Sequence, residues 1–393
     1  MHLGSPATRA VAALSLTQLI GWGSTFWLPA VTGTAMAADL GLTVPMVMAG
    51  PTIMLVVMAA ASWPLGGVFE RHGARPIMTA GSPLGAAGLL TMALATGPEL
   101  YFLSWLVLGI AGACMLTTPA QIAVTEIAGE KARQALSILI LAGGLTSTII
   151  WPLTGILQAQ WGWRATTLAY ALVMLVACTS LHWTMLARRP RQKAAETITE
   201  QGHIDRPSFI LLATSFAANG FFTWGFALTI IILFEAAGLD HASALTAAAF
   251  IGIAQWAGRM VDFLGGRHLS GFVTGLAGAV LFPLSFVVLL STSSFVGAML
   301  FATLYGIASG ITAVTRATLP LQIFPPGAYA RAAARLAVPL NLSFAAAPPV
   351  FAAIMTSSGP HVALCLAFAI SIFAFVMLLS LFLLHRRSAP NPS

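Results

Sequence analysis

The feature that most limits what this chain can fold into is a series of apolar stretches, each about 20 residues long, which is the length a helix needs to span a bilayer. Of the 393 residues, 58% are hydrophobic and only 7% are charged. A soluble domain carries roughly 25% charged residues. No soluble fold of this length could bury so much apolar surface, so lipid is the expected solvent for most of the chain.

Cutting the sequence at charges, prolines and glycines gives twelve apolar segments, at approximately 10–38, 46–69, 76–96, 100–124, 134–160, 164–187, 208–236, 242–264, 268–290, 295–317, 332–357 and 361–385. The first segment is too long for the core of a signal peptide, roughly 7–15 residues, and is taken as a helix. Backbone groups in lipid must be satisfied within a segment, and the alternation of barrel strands is missing. The sequence therefore predicts an all-α membrane protein with twelve transmembrane helices in two six-helix bundles.

The positions of Lys and Arg support this order of segments. If both termini are cytoplasmic, the basic residues lie in cytoplasmic segments or near cytoplasmic helix ends, and only Arg164 falls outside. The external loops near 40–45, 97–99, 237–241, 291–294 and 358–360 contain neither Lys nor Arg. This positive-inside pattern predicts a multi-pass protein of the plasma (inner) membrane with both termini cytoplasmic.

The chain divides near its middle at a charged connector. The predicted domains are an N-terminal six-helix bundle at 1–187, a cytoplasmic linker at 188–207 and a C-terminal six-helix bundle at 208–393. Gly66 and Gly258 are each followed four residues later by an acid, and Trp-Gly pairs occur in the first and seventh segments. These patterns recur at offsets close to half the chain length, which predicts an internal duplication.

Several functional classes are disfavoured by the composition. The net charge of +7 comes from residues scattered between apolar stretches, which form no patch suited to nucleic acid. The three cysteines are isolated within apolar segments, and no metal-ligand spacing, Walker loop or catalytic cluster is present. The sequence predicts no metal, no cofactor, no nucleic-acid partner and no enzymatic activity.

The loop after the second segment, Gly66-Gly-Val-Phe-Glu-Arg-His-Gly-Ala-Arg75, resembles the signature loop of the major facilitator superfamily, with Glu70 in place of Asp and Ala74 in place of Arg. The Pro152-Leu-Thr-Gly155 and Gly162-Trp-Arg164 motifs are also similar to that superfamily. From Glu130 to Arg164, the basic loop, Gly-Gly pair, Pro and Gly-Trp-Arg are similar to its monocarboxylate and oxalate–formate-like branch. The helix-four Arg of many members is absent, and no charge precedes Arg259 in the eighth segment.

The resemblance implies a monomeric carrier in which the first, fourth, seventh and tenth helices line a central cavity. The polar and aromatic candidates on these helices are Gln18, Trp22, Thr25, Gln121, Asn219, Thr223, Trp224, Tyr305, Ser309, Thr312 and Arg316, with Gln255 and Asn341 as secondary candidates. The Ser and Thr hydroxyls are as well explained by helix–helix packing. Arg316 either extends to the lipid headgroups or is the best anion contact in the cavity.

A second group of residues is predicted to gate the cytoplasmic side. It comprises Gly66, Glu70, Arg71, Gly73, Arg75, Arg133, Gly258, Asp262 and Arg331. Glu70 is expected to pair with Arg71, Arg75 or Arg133, and Asp262 with Arg331 or Arg335, in the state closed to the cytoplasm. The alternatives are solvated loop charges that set topology, and glycines that serve helix packing.

The sequence thus favours a secondary active or facilitative transporter of a small organic solute, neutral or anionic, with carboxylates included. No Asp or Glu lies near the middle of a predicted helix, which disfavours multivalent cations as substrates. A coupling proton has no mid-membrane carboxylate either, and Glu235 and His182 are weak candidates near helix ends. The alternatives are an efflux carrier of apolar compounds, a membrane sensor that binds without transport and, more distantly, a lipid-processing enzyme.

Overall fold

A computed structural model of the protein describes residues 6–187, 203–227, 229–265, 270–292 and 294–388, and all regular structure in these ranges is helical. Most of the predicted linker, from 188 to 202, lies outside the described residues. The all-helical prediction is confirmed for the part of the chain that the structure describes.

Nine α-helices precede the linker, together with a 3₁₀-helix at Gly129–Lys131 and a π-helical turn at Met174–Cys178 in the described residues. They are α1 (Pro6–Ser24), α2 (Leu28–Leu40), α3 (Val44–His72), α4 (Ala74–Ala93), α5 (Pro98–Met115), α6 (Thr117–Ala128), α7 (Ala132–Gly143), α8 (Thr146–Val173) and α9 (Thr179–Met185).

Eight α-helices follow in the described part of the second half. They are α10 (Arg206–Ala227), α11 (Ile230–Ala236), α12 (His241–Gly265), α13 (Gly271–Ser291), α14 (Phe295–Thr318), α15 (Pro320–Ile323), α16 (Pro326–Ser358) and α17 (Pro360–Ser388).

Several predicted segments contain a break. The segment at 10–38 is interrupted between α1 and α2, and the segment at 100–124 is interrupted at Leu116, whose ψ of −144° is not helical. Within α8, Gly162 has φ 75° and ψ 167°. Only glycine adopts such a conformation without strain, so the helix can break at this residue. The break coincides with the predicted boundary between the fifth and sixth segments.

Among the described residues, eight helical stretches are long and apolar enough to cross a membrane. They are Val44–His72, Pro98–Met185 (which contains several helices), Arg206–Phe226, His241–Val261, Gly271–Ser291, Phe295–Ile323, Pro326–Ser358 and Pro360–Arg386. The prediction of twelve spans in two bundles therefore stays a prediction.

The chain forms two compact units. The first unit comprises Met1–His203 and Pro325–Ala345, and the second comprises Ile204–Phe324 and Ala346–Ser393. In the first unit, α5 packs against α3 and α4, and α1 packs against α7 and α8. In the second unit, α14 packs against α12 and α13, and α17 packs against α10 and α13.

The core of the second unit is rich in aromatic rings. Phe222 packs edge-on against Phe282 with ring centroids 4.8 Å apart, and Tyr305 stacks on Phe301 at 5.2 Å. Both geometries are favourable for aromatic quadrupoles. The predicted cavity residue Tyr305 is thus part of the aromatic core of this unit, and only 5% of its surface is exposed.

Candidate functional site

Two arginines lie within the helices of the second unit. Arg316 is near the end of α14, and its Nη1 donates a hydrogen bond of 3.4 Å to Oδ1 of Asn219 on α10. Asn219 is buried and follows the start of α10 at Arg206 by about 20 Å of helix. The Arg316 guanidinium therefore lies beside the middle of α10.

The second arginine, Arg259, extends from α12. Its Nη2 donates to Oε1 of Gln255 at 3.4 Å, and Nε2 of Gln255 donates to Oγ of Ser309 on α14 at 2.6 Å. The Nε atom of Arg259 is buried and has no hydrogen-bond partner among the described residues. The backbone nitrogen of Arg259 lies beside Gly310 of α14, six residues before Arg316, so the two arginines extend from neighbouring parts of the same helix contact.

Three glycines bring the helices that carry these arginines together. A Cβ added at Gly258 on α12 would collide with the backbone oxygen of Ile307 on α14. A Cβ at Gly306 would lie 2.7 Å from the oxygen of Ile251, and one at Gly310 would lie 2.9 Å from the backbone nitrogen of Arg259. Only small residues permit helices to approach so closely, so these glycines hold Arg259 and Arg316 near one another.

Few acidic residues are available in the second unit to neutralise this pair. Its acids are Asp205, Glu235, Asp240 and Asp262. Asp205 precedes α10, and Glu235 and Asp240 lie around the turn between α11 and α12, where Glu235 pairs with His241 at 2.6 Å. The side chain of Asp262 lies outside what the structure describes. Charged side chains within membrane-spanning helices commonly mark a substrate or ion pathway, and guanidinium groups bind anions through charge-assisted hydrogen bonds, so the two arginines are candidate anion contacts.

The remaining candidates in the second unit are tied mainly to their own helices. The hydroxyl of Thr223 donates to the Asn219 carbonyl at 2.8 Å, and that of Thr312 donates to the Ala308 carbonyl at 2.6 Å. Trp224 is partly buried on α10. Asn219 and Thr312 also line a cavity between α10, α13, α14 and α17 whose volume is about 10 Å³. That is room for about one water molecule, and it is too small for an organic solute.

The candidates in the first unit form contacts between helices. Nε2 of Gln18 donates to the Met115 carbonyl at 2.9 Å, and Nε1 of Trp22 donates to Oγ1 of Thr117 at 3.0 Å. Thr25 is buried and donates to the Gly21 carbonyl, whereas Gln121 is partly buried on α6. Gln18 and Trp22 therefore link α1 to the α5–α6 junction at the Leu116 break.

The signature loop meets the first half of α16. Oε1 of Glu70 accepts a hydrogen bond of 3.0 Å from Nε of Arg331, and both side chains are less than one quarter exposed. A Cβ at Gly66 would lie 3.3 Å from Cα of Arg331. The Arg335 guanidinium lies 5.1 Å from the ring centre of Trp63. Arg331 thus pairs with Glu70, for which the sequence predicts Arg71, Arg75 or Arg133 as partner. The prediction that Asp262 pairs with Arg331 or Arg335 stays a prediction, because the side chain of Asp262 lies outside the described residues.

Four other predicted gate residues belong to the same unit as this contact. Arg71 is exposed, and Gly73 has φ 75°, which permits the sharp turn from α3 into α4. Arg75 stacks over Trp183 at 4.5 Å, and Arg133 is partly buried on α7. The sequence did not single out Glu126, whose Oε2 accepts from the first backbone nitrogen of α4, that of Ala74, at 3.0 Å. An acid is favourable at this position because a helix N-terminus carries partial positive charge.

The Gly-Trp-Arg motif forms a polar cluster elsewhere in the first unit. Arg164 pairs with Asp39 through Nε and Nη2, each at 2.9 Å, and its Nη1 donates to the carbonyls of Ala93 and Ala95. Nε1 of Trp163 also donates to Asp39, at 3.0 Å. The motif thus joins the C-terminal ends of α2 and α4 to α8. These contacts give Arg164 a structural role, which accounts for its departure from the positive-inside pattern.

The contact between α3 and α16 yields a charge-swap prediction. Glu70→Arg or Arg331→Glu alone places two like charges at a largely buried site, and each is expected to lower the thermal unfolding midpoint and to expose the contact to labelling. The double variant should restore most of the loss, because it re-forms the pair with its polarity reversed. A double-mutant cycle on unfolding midpoints measures this. Additive losses without recovery would show that the two side chains are not coupled.

The helices and buried charges define a polytopic helical protein, and comparisons with known proteins identify its family. The family model of the Major Facilitator Superfamily matches residues 14–267. The chain therefore belongs to the Major Facilitator Superfamily, which confirms the resemblance of its signature loop, and it is a multi-pass membrane protein of a transporter family.

Two individual proteins illustrate this relationship. An MFS-type transporter of Gibberella moniliformis (strain M3125 / FGSC 7600) is 27% identical over 277 residues, which cover 68% of this chain and 66% of that protein, just under two thirds of its length. The crystal structure of the human organic anion transporter MFSD10 (TETRAN) has a TM-score of 0.76 and 15% identity, covering 95% of this chain and 100% of that chain. The second likeness concerns the fold.

Proposed function

We propose that this protein is a secondary transporter that moves a small organic anion across the membrane by alternating access. The observation that carries the proposal is the pair of arginines in the second unit, Arg259 and Arg316, held close by glycine contacts between α12 and α14. A charged side chain within a membrane protein is costly and marks a substrate or ion pathway by default. Two guanidinium groups on this pathway favour an anionic substrate over a neutral one.

The chemistry of the two guanidinium groups suits a carboxylate. Each presents planar N–H donors in a fork that matches two carboxylate oxygens. Asn219 and Gln255 hold the forks through their side-chain oxygens, which orients the guanidinium groups before the anion arrives. The similarity of Glu130–Arg164 to the monocarboxylate and oxalate–formate-like branch supports an organic acid as the substrate.

The same proposal extends to the arrangement of the helices in the membrane. We infer twelve spanning helices in two bundles, 1–187 and 208–393, joined by a cytoplasmic linker at 188–207, in a monomer of the plasma (inner) membrane with both termini cytoplasmic. The Glu70–Arg331 contact and the Arg335–Trp63 stack are proposed to stabilise one state of the transport cycle. Gln18, Trp22, Gln121 and Trp224 are proposed to line the substrate pathway.

The experiment that tests this function compares matched acids and neutral analogues. The purified full chain is reconstituted into proteoliposomes, and uptake of radiolabelled lactate, succinate and benzoate is measured beside lactamide, succinamide and benzamide. Saturable uptake of at least one acid above the rate in empty liposomes, with no carrier-dependent uptake of its amide, is the expected result. Preference for amides, or for apolar drugs added to the same panel, would overturn the anion proposal in favour of a neutral-solute or efflux carrier.

A further inference from the structure

A buried histidine in the first unit bridges three helices. His182 on α9 is only 1% exposed. Its Nδ1 lies 2.8 Å from Oγ of Ser82 and 3.2 Å from the Met78 carbonyl oxygen, both on α4, and its Nε2 lies 3.0 Å from Oγ1 of Thr17 on α1. Both ring nitrogens therefore have a hydroxyl partner, and these hydroxyls come from different helices.

The two hydroxyls also contact backbone carbonyls of their own helices. Oγ1 of Thr17 lies 3.1 Å from the Leu14 carbonyl oxygen, and Oγ of Ser82 lies 3.1 Å from that of Met78. Each hydroxyl has a single hydrogen to donate, and a carbonyl oxygen can only accept. If both hydroxyls donate to these carbonyls, both ring nitrogens must donate to the hydroxyls, and the ring is then a protonated imidazolium with every hydrogen satisfied.

The same heavy atoms satisfy the neutral ring. When Thr17 donates to Nε2, the Nδ1 hydrogen is donated to Ser82 or to the Met78 carbonyl. When Ser82 donates to Nδ1, the Nε2 hydrogen is donated to Thr17. When the imidazole ring gains or loses a proton, rotation of one hydroxyl hydrogen is therefore enough to keep every buried donor paired, without any shift of the helices.

The described surroundings of the ring contain no acid in contact with it. Helix α9 packs against α1, α4 and the π-helical turn. The ionisable groups that these elements bring to the region are Cys178, four residues before His182 and buried, Arg75 of α4, which stacks on the neighbouring Trp183, and the exposed Arg9 of α1. None of the hydrogen bonds or salt bridges described for His182 involves a carboxylate. A fixed acid would hold the ring in its charged form, and no such partner is in contact here.

We propose that His182 is the proton-binding site of the transport cycle, with the hydroxyls of Thr17 and Ser82 as its positioning partners. The proposal rests on the anion transport proposed above, because a proton bound together with an anionic substrate offsets its charge. Thr17 directly precedes Gln18, which bonds the Met115 carbonyl on α5. Helix α1 therefore carries both a partner of His182 and Gln18, one of the residues proposed above to line the substrate pathway.

Two readouts on the same proteoliposomes test the proposal. Counterflow of a radiolabelled acid from the panel, at equal pH on both sides, reports exchange without net proton movement. Pyranine trapped inside reports proton entry that accompanies net uptake of the same acid, corrected for empty liposomes. The wild type is expected to show both. The variant His182→Asn keeps a hydrogen-bonding amide but cannot be protonated. It should keep counterflow, and its rate of proton entry should be at least tenfold lower than that of the wild type.

The control is His361→Asn, at an exposed histidine of α17, which should behave as the wild type. Absence of counterflow in the wild type would reject the transport function itself. Counterflow without proton entry in the wild type, or full proton entry in His182→Asn, would reject the role of His182 alone. If His182→Asn does not fold, Thr17→Val and Ser82→Ala retain the ring, and each should displace the pH midpoint of uptake. An unchanged midpoint in both variants would overturn the proposal.

Discussion

Replacing Arg316 with Gln is expected to weaken binding of the transported anion by about 30-fold or more, because removing one partner of a buried, hydrogen-bonded charge pair costs about 2–5 kcal/mol. Glutamine keeps a hydrogen-bonding group near Asn219 but removes the charge, so the loss should appear as a higher KM for flux and a lower affinity in equilibrium binding. The anion affinity of Arg316→Lys should fall between those of the wild type and Arg316→Gln, because an ammonium keeps the charge but lacks the bidentate fork.

The matched control for this experiment is Arg386→Gln. Arg386 is an exposed arginine near the end of α17, with its guanidinium 5.6 Å from the ring centre of Phe382. Since it lies outside the proposed site, its loss should leave the flux within about twofold of the wild type, an allowance in line with the small energies of exposed charges. The anion proposal requires the two variants to differ, and equal flux from Arg316→Gln and Arg386→Gln would be incompatible with it.

Replacing Gly310 with Val is expected to destabilise the second unit by about 1–3 kcal/mol or more, since overpacking a tight contact forces side chains and backbone to shift. The nearest atoms to an added Cβ are backbone atoms of Gln255 and Arg259, which have no flexible side chain to move aside. We expect a lower thermal unfolding midpoint in detergent and a smaller monodisperse fraction in gel filtration. Substrate binding should weaken as well, because the same contact positions Arg259 beside Arg316.

Gly252 on α12, the helix that packs against α14 and its Gly310, provides a control of opposite sign. It is exposed, and a Cβ added there would meet no atom within 4 Å. Gly252→Ala should therefore leave the unfolding midpoint unchanged or raise it, because alanine favours a helix by about 1 kcal/mol relative to glycine. A midpoint for Gly310→Val that equals the midpoint of Gly252→Ala would show that α12 and α14 do not depend on a close glycine contact.

The helical character and the main boundaries could be predicted because they depend on local properties of the sequence. Apolar segments specify helices wherever lipid forbids unpaired backbone groups. The break at Gly162 was anticipated because a glycine lies between two segments of spanning length, and the structure gives it φ 75°. The break after Ser24 is not predicted from the apolar composition, which continues from Ala10 to Ala38, although Pro29 in the first turn of α2 is a local signal for a helix start.

The partners of the charged residues could not be predicted, because they depend on contacts between distant parts of the chain. Glu70 and Arg331 are 261 positions apart in sequence, and the sequence alone predicts Arg71, Arg75 or Arg133 as the partner of Glu70. Arg259 was placed near a cytoplasmic helix end, and only the structure places its charge near Arg316. The one contact of Arg259 with a local signal in the sequence is that with Gln255, because residues four positions apart on a helix are neighbours.

His182 shows how position along a helix can mislead. It was ranked low because it lies near the end of a predicted helix, where a polar side chain is commonly exposed to water or headgroups. In the structure it is buried, and its partners Thr17 and Ser82 are 165 and 100 positions away. Burial at that site follows from the packing of α9 against α1 and α4, which composition and periodicity do not specify.

The central claim, that this chain carries an organic anion, is tested most directly by counterflow. Proteoliposomes preloaded with an unlabelled acid are diluted into a trace of the same radiolabelled acid, for the wild type and for Arg259→Gln/Arg316→Gln. We expect a transient accumulation of label in the wild type and none in the double variant. Binding of the acid without any accumulation in the wild type would contradict this claim and would favour a membrane sensor.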